Sequence, residues 1–239
     1  MFERVIYNQL CTYFDHNHLL SEQQYGFRAN HSTELAAIKL VDYINHEIDR
    51  KYTPVNIYID LSKAFDTLNF DILLYKLNYY GVTNEALVLI KSYLTNRKQY
   101  VKYNISESDF KQIETGVPQG SILGPFLFSI YINDLVTINN NFKFIMYADD
   151  TTIYFNLEDF PKTNLVNNIT NELDKVNVWL KQNKLSLNAD KTKCMTFHTR
   201  QKHVELMQFS IDGKLIENLR SFKFLGIIFK MLVHCELYL

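Results

Sequence analysis

Apolar side chains recur at three- and four-residue spacing along much of the chain, which predicts a series of amphipathic or buried helices. In the first, Phe2, Val5, Ile6, Leu10 and Phe14 share one face. The second is capped by Ser32 or Thr33 and presents Leu35, Ile38, Val41, Ile44 and Ile48. Four further helices are predicted over residues 70–80, 84–94, 121–135 and 163–182. Helices therefore account for much of the expected core.

Strands are predicted where apolar and polar residues alternate or where β-prone residues cluster. Such runs occupy residues 55–60, 99–105 with 110–114, 144–155, 193–198 and 222–229, and Asp212-Gly213 is a turn between two more. In the 144–155 run, Asp149 and Asp150 stand at or near the tip of a hairpin. Because the strands pair largely through hairpins, we expect an α+β or mixed α/β fold with an antiparallel sheet and helices on one face.

Composition is that of a globular protein, with 47% hydrophobic and 21% charged residues among 239. No apolar run is long enough to cross a bilayer, and the N-terminus lacks the apolar stretch of a signal peptide. Cys11, Cys194 and Cys235 match neither a disulfide framework nor a zinc site, which favours an intracellular, reducing compartment. The net charge of −1 gives no sign of the basic surface usual in nucleic-acid-binding proteins.

Three aspartates carry the candidate chemistry. Asp60 is the last residue of the 55–60 strand, and Asp149 and Asp150 are adjacent in the hairpin. Carboxylates converging on one point can hold Mg²⁺, and paired metal ions can clamp the oxygens of a phosphoryl transfer. Alone the signal is weak, because an Asp-Asp pair is also an ordinary turn.

The surroundings of these aspartates are specific. Residues 59–69 (IDLSKAFDTLN), 115–135 (TGVPQGSILGPFLFSIYINDL) and 146–154 (MYADDTTIY) resemble, in this order, the palm of a reverse transcriptase of the non-LTR, LINE-type, jockey-like retrotransposon family. QYGFRANHST (24–33), LSLNADKTKCM (185–195) and FKFLGI (222–227) resemble its fingers motif, the motif after the hairpin and the primer grip. The resemblance extends to about residue 230.

The resemblance implies an RNA-directed DNA polymerase that uses an RNA template, a DNA primer and deoxynucleoside triphosphates. Asp60, Asp149 and Asp150 would hold two Mg²⁺ ions, or Mn²⁺ in their place, together with the carbonyl of Leu61. Lys191 would protonate the pyrophosphate leaving group, although a solvated loop lysine reads nearly as well.

Substrate-binding residues are implied in the same way. Arg28 would meet the triphosphate, Phe65 would exclude a 2′-hydroxyl, and Gln119 and Gly120 would line the nucleotide and template pocket. Phe222, Leu225 and Gly226 would contact the primer end. The structural alternatives are a surface arginine for Arg28 and a core phenylalanine for Phe65, whereas a helix-entry turn at Gln119 and Gly120 is compatible with the implied role.

The family comparison divides the chain into partial fingers (1–55), a palm (56–230, with a fingers insertion at about 68–114) and a divergent tail (231–239). It implies truncation at both ends, a missing thumb and weak binding to duplexes. Alternative functions are an inactive relic or domesticated binding module, and an RNA-dependent RNA polymerase, which Phe65 disfavours. Nuclear action is implied by the family, no membrane association is expected, and the oligomeric state stays open.

Overall fold

A computed structural model describes residues 2–202 and 204–231 of the chain. They form two compact units, and the chain passes between the units several times. The first unit comprises residues 2–20, 63–133 and 183–185; the second comprises residues 21–62, 134–182 and 186–231. Met231 is the only described residue of the divergent tail, and the rest of that tail, including Cys235, lies outside the described residues.

The first unit is mainly helical. Its helices are α1 (Phe2–His16), α3 (Ala64–Thr67), α4 (Phe70–Tyr79), α5 (Asn84–Leu94) and α6 (Leu123–Tyr131). Short strands β2 (Lys98–Gln99), β3 (Lys102–Tyr103), β4 (Ser106–Glu107) and β5 (Lys111–Gln112) form an exposed hairpin between α5 and α6. Nearly every residue of α6 is buried, and α1 and α4 pack against it. The strongly apolar sequence of α6 thus forms the centre of this unit.

The second unit is built on a five-stranded sheet. Its strands are β1 (Pro54–Ile59), β6 (Lys143–Tyr147), β7 (Asp150–Asn156), β8 (Lys193–Thr196) and β11 (Glu217–Asn218), in the order β11-β8-β1-β7-β6. Helix α2 (Thr33–Asp49) packs on β1 and β6, and α7 (Leu165–Gln182) packs on β9 (Ser210–Ile211). Strand β10 (Lys214–Leu215) pairs with β9, and β12 (Ser221–Phe224) pairs with β13 (Ile227–Lys230). Three pairings of the sheet are antiparallel, whereas β11 runs parallel to β8, so the sheet is mixed.

The two faces of this sheet bury different groups. On one face, Tyr58, Ile145 and Met195 form a cluster with residues of α2 and with Phe224 and Phe229 of the last hairpin. On the other face, Phe155 lies against Phe209, which precedes β9. Both faces are therefore covered, which explains why all six residues of β1 are buried.

Several sequence predictions need correction. Phe2 and Val5 are exposed on α1, and Leu35 and Ile38 are exposed on α2. Instead, α2 buries Ala36, Ala37, Leu40, Ile44 and Glu47. The small alanines suit close packing on the sheet, and this tertiary preference overrides the apolar stripe of the sequence. Ser32 is the residue that caps α2, through its side chain and the Leu35 amide.

Two other elements differ in length or form. The predicted 121–135 helix ends at Tyr131, after which Asn133–Thr137 form a 3₁₀ turn. The 222–229 run is a hairpin, because Leu225 and Gly226 both take positive φ angles (46° and 90°) and reverse the chain. The 144–155 hairpin, the Asp212-Gly213 turn and the helices from Phe70 and Asn84 are found as predicted.

Candidate active site

The hairpin of β6 and β7 presents the paired aspartates. Tyr147 pairs with Asp150, so Ala148 and Asp149 form a two-residue turn. Ala148 has a φ of 58°, a left-handed conformation that costs a non-glycine residue about 1–2 kcal/mol. The surrounding structure must therefore hold this turn in place, and the position of Asp149 depends on the turn.

A short backbone segment holds the turn from outside. This edge segment, residues 23–26, lies along the free edge of β6: the Met146 amide donates to the Gln23 carbonyl (2.9 Å), and the Tyr25 amide donates to the Met146 carbonyl (2.7 Å). At its end Gly26 approaches the backbone of Tyr147 and Ala148 so closely that a Cβ there would collide with it. The edge segment both covers an open sheet edge and buttresses the Asp149 turn.

Asp60 reaches the same place from the neighbouring strand. Ile59 pairs with Thr151 across β1 and β7, so the next residues along, Asp60 and Asp150, are opposite each other. Side chains directly opposite in an antiparallel pair lie on one face. Both aspartates line a cavity of about 70 Å³. The register of β1 against β7 is what brings together two carboxylates 90 positions apart in sequence.

The three carboxylates repel one another at this point. Partial burial raises the pKa of the Asp150 carboxyl, and the negative charges of Asp149 and Asp60 raise it further. All three carboxylates are thus close enough to interact. An arrangement in which like charges disfavour ionisation is one that a bound cation relieves.

The protein's side chains alone do not supply a full set of metal ligands. In the described part of the chain, no three His, Cys, Asp or Glu side chains are placed so that they could hold a metal ion. However, Mg²⁺ is commonly bound by one or two carboxylates with waters and substrate phosphates. Asp60 and Asp150 on one face, with Asp149 on the adjoining turn, fit that mode of binding.

The Leu61 carbonyl is directed to the same edge. The Asp60 carbonyl accepts from the Asn188 amide (2.8 Å), and the Ser62 amide donates to the Ser186 carbonyl (2.8 Å). Backbone groups of successive strand residues point to opposite edges, so the Leu61 carbonyl points away from residues 186–188 and toward β7. This direction is compatible with a ligand role beside Asp150.

The rest of the cavity is formed by the last hairpin and the loop before β8. The Phe222 ring stacks on the Tyr58 ring with centroids 4.2 Å apart, and the Phe224 ring lies tilted to the same ring at 5.6 Å. Lys191 lines the cavity, and its side chain is exposed. Leu225 and Gly226 form the tip of this hairpin. Tyr58, two residues before Asp60, therefore seats the hairpin that contains the predicted primer-contacting residues.

Thr152 adds a polar wall to this cavity. It is fully buried, and its hydroxyl has no hydrogen-bond partner among the described residues. It lies on the Asp150 face of β7, two residues along the strand. This buried hydroxyl, on a residue that lines the cavity, is available for a hydrogen bond to an ordered water.

Arg28 also belongs to the second unit. Its guanidinium donates to the Ser21 carbonyl (2.9 Å), and Arg28 comes two residues after Gly26, whose backbone contacts the Asp149 turn. A half-buried arginine with donors left over can bind phosphate oxygens. The structure therefore brings Asp60, Leu61, Asp149, Asp150, Lys191, Arg28, Phe222, Leu225 and Gly226 into one unit.

Phe65, Gln119 and Gly120 lie in the first unit, where helix α3 and the loop before α6 interlock. The Phe65 ring packs on the Phe128 ring (centroids 4.7 Å apart), and the Phe65 carbonyl accepts from the Val117 amide (2.9 Å). Gly120 has a φ of 78° and open space around it. The predicted sugar-contacting ring and the glycine loop are thus parts of one local assembly.

Asp66 organises that assembly, a role that the sequence did not indicate. Its carboxylate accepts from the Gln119 amide (3.0 Å), and its carbonyl accepts from the Thr115 hydroxyl (3.0 Å). Gly116 approaches the Asp66 backbone so closely that a Cβ would clash. Gly26, Tyr58 and Asp66 are therefore site residues that sequence reasoning missed, although Gly26 and Asp66 lie inside motifs that it used.

These features, an antiparallel hairpin bearing paired aspartates beside a strand-end aspartate, are those of a nucleotidyl-transferring palm. The chain belongs to the reverse transcriptase (RNA-dependent DNA polymerase) family, which it matches over residues 1–229. None of the helices in the described part of the chain is long and apolar enough to span a membrane.

Among its relatives is the RNA-directed DNA polymerase from mobile element jockey of Drosophila melanogaster, 30% identical over 232 residues, with 94% of this chain and 25% of that protein covered. The probable RNA-directed DNA polymerase from transposon BS of the same species is 29% identical, with 95% and 26% covered. The predicted membership of a jockey-like non-LTR family is confirmed. The chain spans about a quarter of the length of the curated relatives it matches.

Solved structures agree on the fold. Telomerase from Candida albicans, in complex with a fragment of telomeric RNA, superposes with a TM-score of 0.65 at 15% identity, covering 95% of this chain and 36% of that chain. An apo telomerase from Candida tropicalis, truncated from its C-terminal domain, gives 0.62 at 14% identity, covering 95% and 44%. The predicted fingers–palm fold is therefore confirmed at the level of architecture.

Proposed function

We propose that this chain adds deoxynucleotides to the 3′-hydroxyl of a DNA primer on an RNA template. The observation that carries the proposal is the register of β1 against β7, which sets Asp60 opposite Asp150, with Asp149 on the adjoining turn. Family membership and the similarity to retrotransposon polymerases support the same activity.

In the proposed reaction the primer oxygen attacks the α-phosphorus of the nucleotide, and the bond from that phosphorus to the pyrophosphate oxygen breaks. Two Mg²⁺ ions, or Mn²⁺ in their place, held by Asp60, Asp149, Asp150 and the Leu61 carbonyl would supply charge neutralisation and a more acidic hydroxyl. The protein's part is to hold the reacting groups in line, since positioning dominates phosphoryl transfer.

The other predicted residues are assigned roles in proton transfer and in substrate binding. Lys191, on the cavity that Asp60 and Asp150 line, would give its proton to the departing pyrophosphate. Arg28 would bind the triphosphate, and Gln119 and Gly120 would contact nucleotide and template. Phe222, Leu225 and Gly226 would bear on the primer end, with Tyr58 holding the hairpin in place.

The first experiment is primer extension by the purified chain on an annealed RNA template, with Mg²⁺ and deoxynucleotides. Asp149→Ala should abolish extension, and chelation of the metal should do the same. Circular dichroism of both proteins shows whether they are folded. Equal extension by the wild type and a folded Asp149→Ala variant would refute the proposal.

Sugar selection separates this proposal from an RNA-dependent RNA polymerase. Phe65 is half-buried against Phe128, and removal of its ring opens space without removing a charge. Phe65→Ala should raise ribonucleotide incorporation relative to deoxynucleotide incorporation. Equal use of both sugars by the wild-type chain would instead favour the RNA polymerase.

A binding module without catalysis is the remaining alternative. It predicts primer–template binding without extension, in a folded chain with all three aspartates intact.

Because the matched relatives are retrotransposon proteins, we also propose that the chain acts in the nucleus, where chromosomal DNA supplies the primer. A fluorescent fusion excluded from the nucleus would count against this.

A further inference from the structure

The hairpin of β2 to β5 is the most exposed segment in the first unit. Each residue from 98 to 112 is exposed, including five large apolar or aromatic side chains: Tyr100, Val101, Tyr103, Ile105 and Phe110. A two-stranded hairpin in water is marginally stable at best. Exposed aromatic side chains clustered on such a hairpin form an apolar patch of the kind that marks a binding site.

Strand register assigns the aromatic side chains to one face. Lys98 pairs with Gln112 and Gln99 with Lys111, so Tyr100 stands opposite Phe110. Their ring centroids are 4.9 Å apart, and the side chains are 45% and 67% exposed. Lys98 and Lys102 flank Tyr100 on the same face, since side chains two apart in a strand share a face.

A bulge preserves this arrangement. Beyond the Tyr100–Phe110 pair, the register shifts by one residue, because Lys102 pairs with Glu107 and Tyr103 with Ser106. The Ser108 amide donates to the Val101 carbonyl, which leaves Asp109 as the extra residue. A bulge twists the hairpin locally and changes the direction of its side chains. The exposed pair of Tyr100 and Phe110 is thus directly adjacent to the bulge.

The hairpin is basic in an otherwise weakly acidic chain. Residues 97–113 contain Arg97, Lys98, Lys102 and Lys111 against Glu107 and Asp109, whereas the whole chain has a net charge of −1. Lys102 is paired with Glu107 (2.7 Å), so Lys98 is the cation beside the rings that has no ion pair among the described residues. Exposed rings flanked by lysines provide stacking surfaces and phosphate contacts together.

We propose that this aromatic face, formed by Tyr100, Phe110 and Lys98, binds single-stranded RNA by stacking bases on the two rings. The inference rests on the proposed function in one respect, that an RNA template is a substrate of the chain. It adds a subsite on an element to which none of the predicted site residues belongs. The flat faces of the rings accept any base, so the subsite is indifferent to sequence.

The test measures binding without chemistry. Fluorescence anisotropy follows a labelled single-stranded RNA of about 20 nucleotides, without primer, nucleotides or metal, added to the full chain. Tyr100→Ala/Phe110→Ala should weaken binding by about tenfold or more. The matched control is Tyr75→Ala/Tyr79→Ala, which removes two exposed rings from α4 (72% and 78% exposed) and should leave the affinity unchanged.

A second variant tests the charge. Lys98→Gln should lower the slope of log affinity against log salt by about 0.7, the value for one phosphate contact on a single strand.

A blunt, fully paired RNA duplex is the control ligand. The Tyr100→Ala/Phe110→Ala variant should bind this duplex as the wild type does, because paired bases are not free to stack. Since every altered side chain is exposed, the variants are expected to fold, and circular dichroism checks this.

Three results would overturn the inference: no binding of single-stranded RNA by the wild type, binding unaffected by the double ring variant, or an effect of that variant on self-association alone in sedimentation velocity. Failure of the proposed function is distinguishable. If the wild-type chain extends no primer, but the double ring variant binds RNA more weakly than the wild type, the subsite is supported and the polymerase activity is refuted. If the chain extends primers and the double ring variant binds RNA as well as the wild type does, the polymerase activity is supported and the subsite is refuted.

Discussion

Replacement of Gly26 by alanine tests whether the edge segment positions the catalytic turn. An added Cβ would lie 3.1 Å from the Tyr147 carbonyl carbon and still closer to the Ala148 amide nitrogen, within 3.0 Å, a range that real Cβ atoms essentially never occupy. Ordinary contact begins near 3.4 Å, so one of the two backbones has to move by at least about 0.4 Å. Both are backbone groups, and neither can rotate away.

The expected consequence follows from where the moving backbone leads. Ala148 is directly followed by Asp149, and a misplacement of about 1 Å can cost a reaction about 10²-fold. A shift of roughly half that size predicts a loss of about tenfold in primer extension, with a stability loss of about 1–3 kcal/mol from overpacking. Extension is measured as the initial rate at saturating primer–template, and stability by thermal unfolding.

Gly213→Ala is the matched control. Gly213 lies at the tip of the hairpin of β9 and β10, and a Cβ there meets nothing within 4 Å. Its φ of 71° imposes some backbone strain, so the control reproduces a stability loss without displacing the Asp149 turn. If Gly26→Ala extended primers as fast as Gly213→Ala at equal folded fraction, the edge segment would have no positioning role.

Two further outcomes are expected in the second unit. Burial acts to raise the pKa of Glu158, but hydrogen bonds from Thr53 and Lys202 outweigh it and hold the pKa below its usual value. The stability from Glu158 is therefore present above that usual value and lost as the pH falls through the lowered pKa. Glu158→Gln should lower the melting temperature at neutral pH and converge with the wild type as the pH falls below the lowered pKa; a constant difference would contradict this. Tyr58→Leu should destabilise the chain by about 1–3 kcal/mol and raise the KM for primer, because the stacking on Phe222 is lost. Tyr58→Phe should preserve the KM because its ring still stacks, while its stability falls through loss of the buried hydrogen bond that the Asn56 amide donates to the Tyr58 hydroxyl (3.2 Å). An equal rise in KM for the two variants would point to the hydroxyl instead.

The Asp149 hairpin was predictable from sequence because its signal is local. An apolar and aromatic run leads up to Asp149 and Asp150 and a second β-prone run leaves them, so the two carboxylates mark where the chain reverses. Asp60 was predictable as a strand-end residue for the same reason. Their meeting depends on the β1–β7 register, and no local pattern specifies a pairing between residues about 90 positions apart. The family resemblance supplied that link.

The buried face of α2 was not predictable in the same way. Apolar residues occur on two overlapping faces of that helix, and the choice between them depends on the shape of the sheet that it meets. Gly26 and Asp66 were missed because each acts through a contact with a remote backbone segment. Gln119 and Asp66, for example, are 53 residues apart. Such contacts require the three-dimensional structure.

The central place of β1 in its sheet has a consequence for synthesis of the chain. Residues 54–59 are made before both of their partners, residues 150–156 and 193–196, which emerge from the ribosome about 100 or more residues later. Until then, a strand that is fully buried in the folded protein has both edges open, which favours aggregation and makes folding slow. Translation products that end before about residue 150 should therefore accumulate as insoluble material rather than as a folded fragment. In this chain the catalytic aspartates and the solubility of the nascent polypeptide depend on the same late pairing.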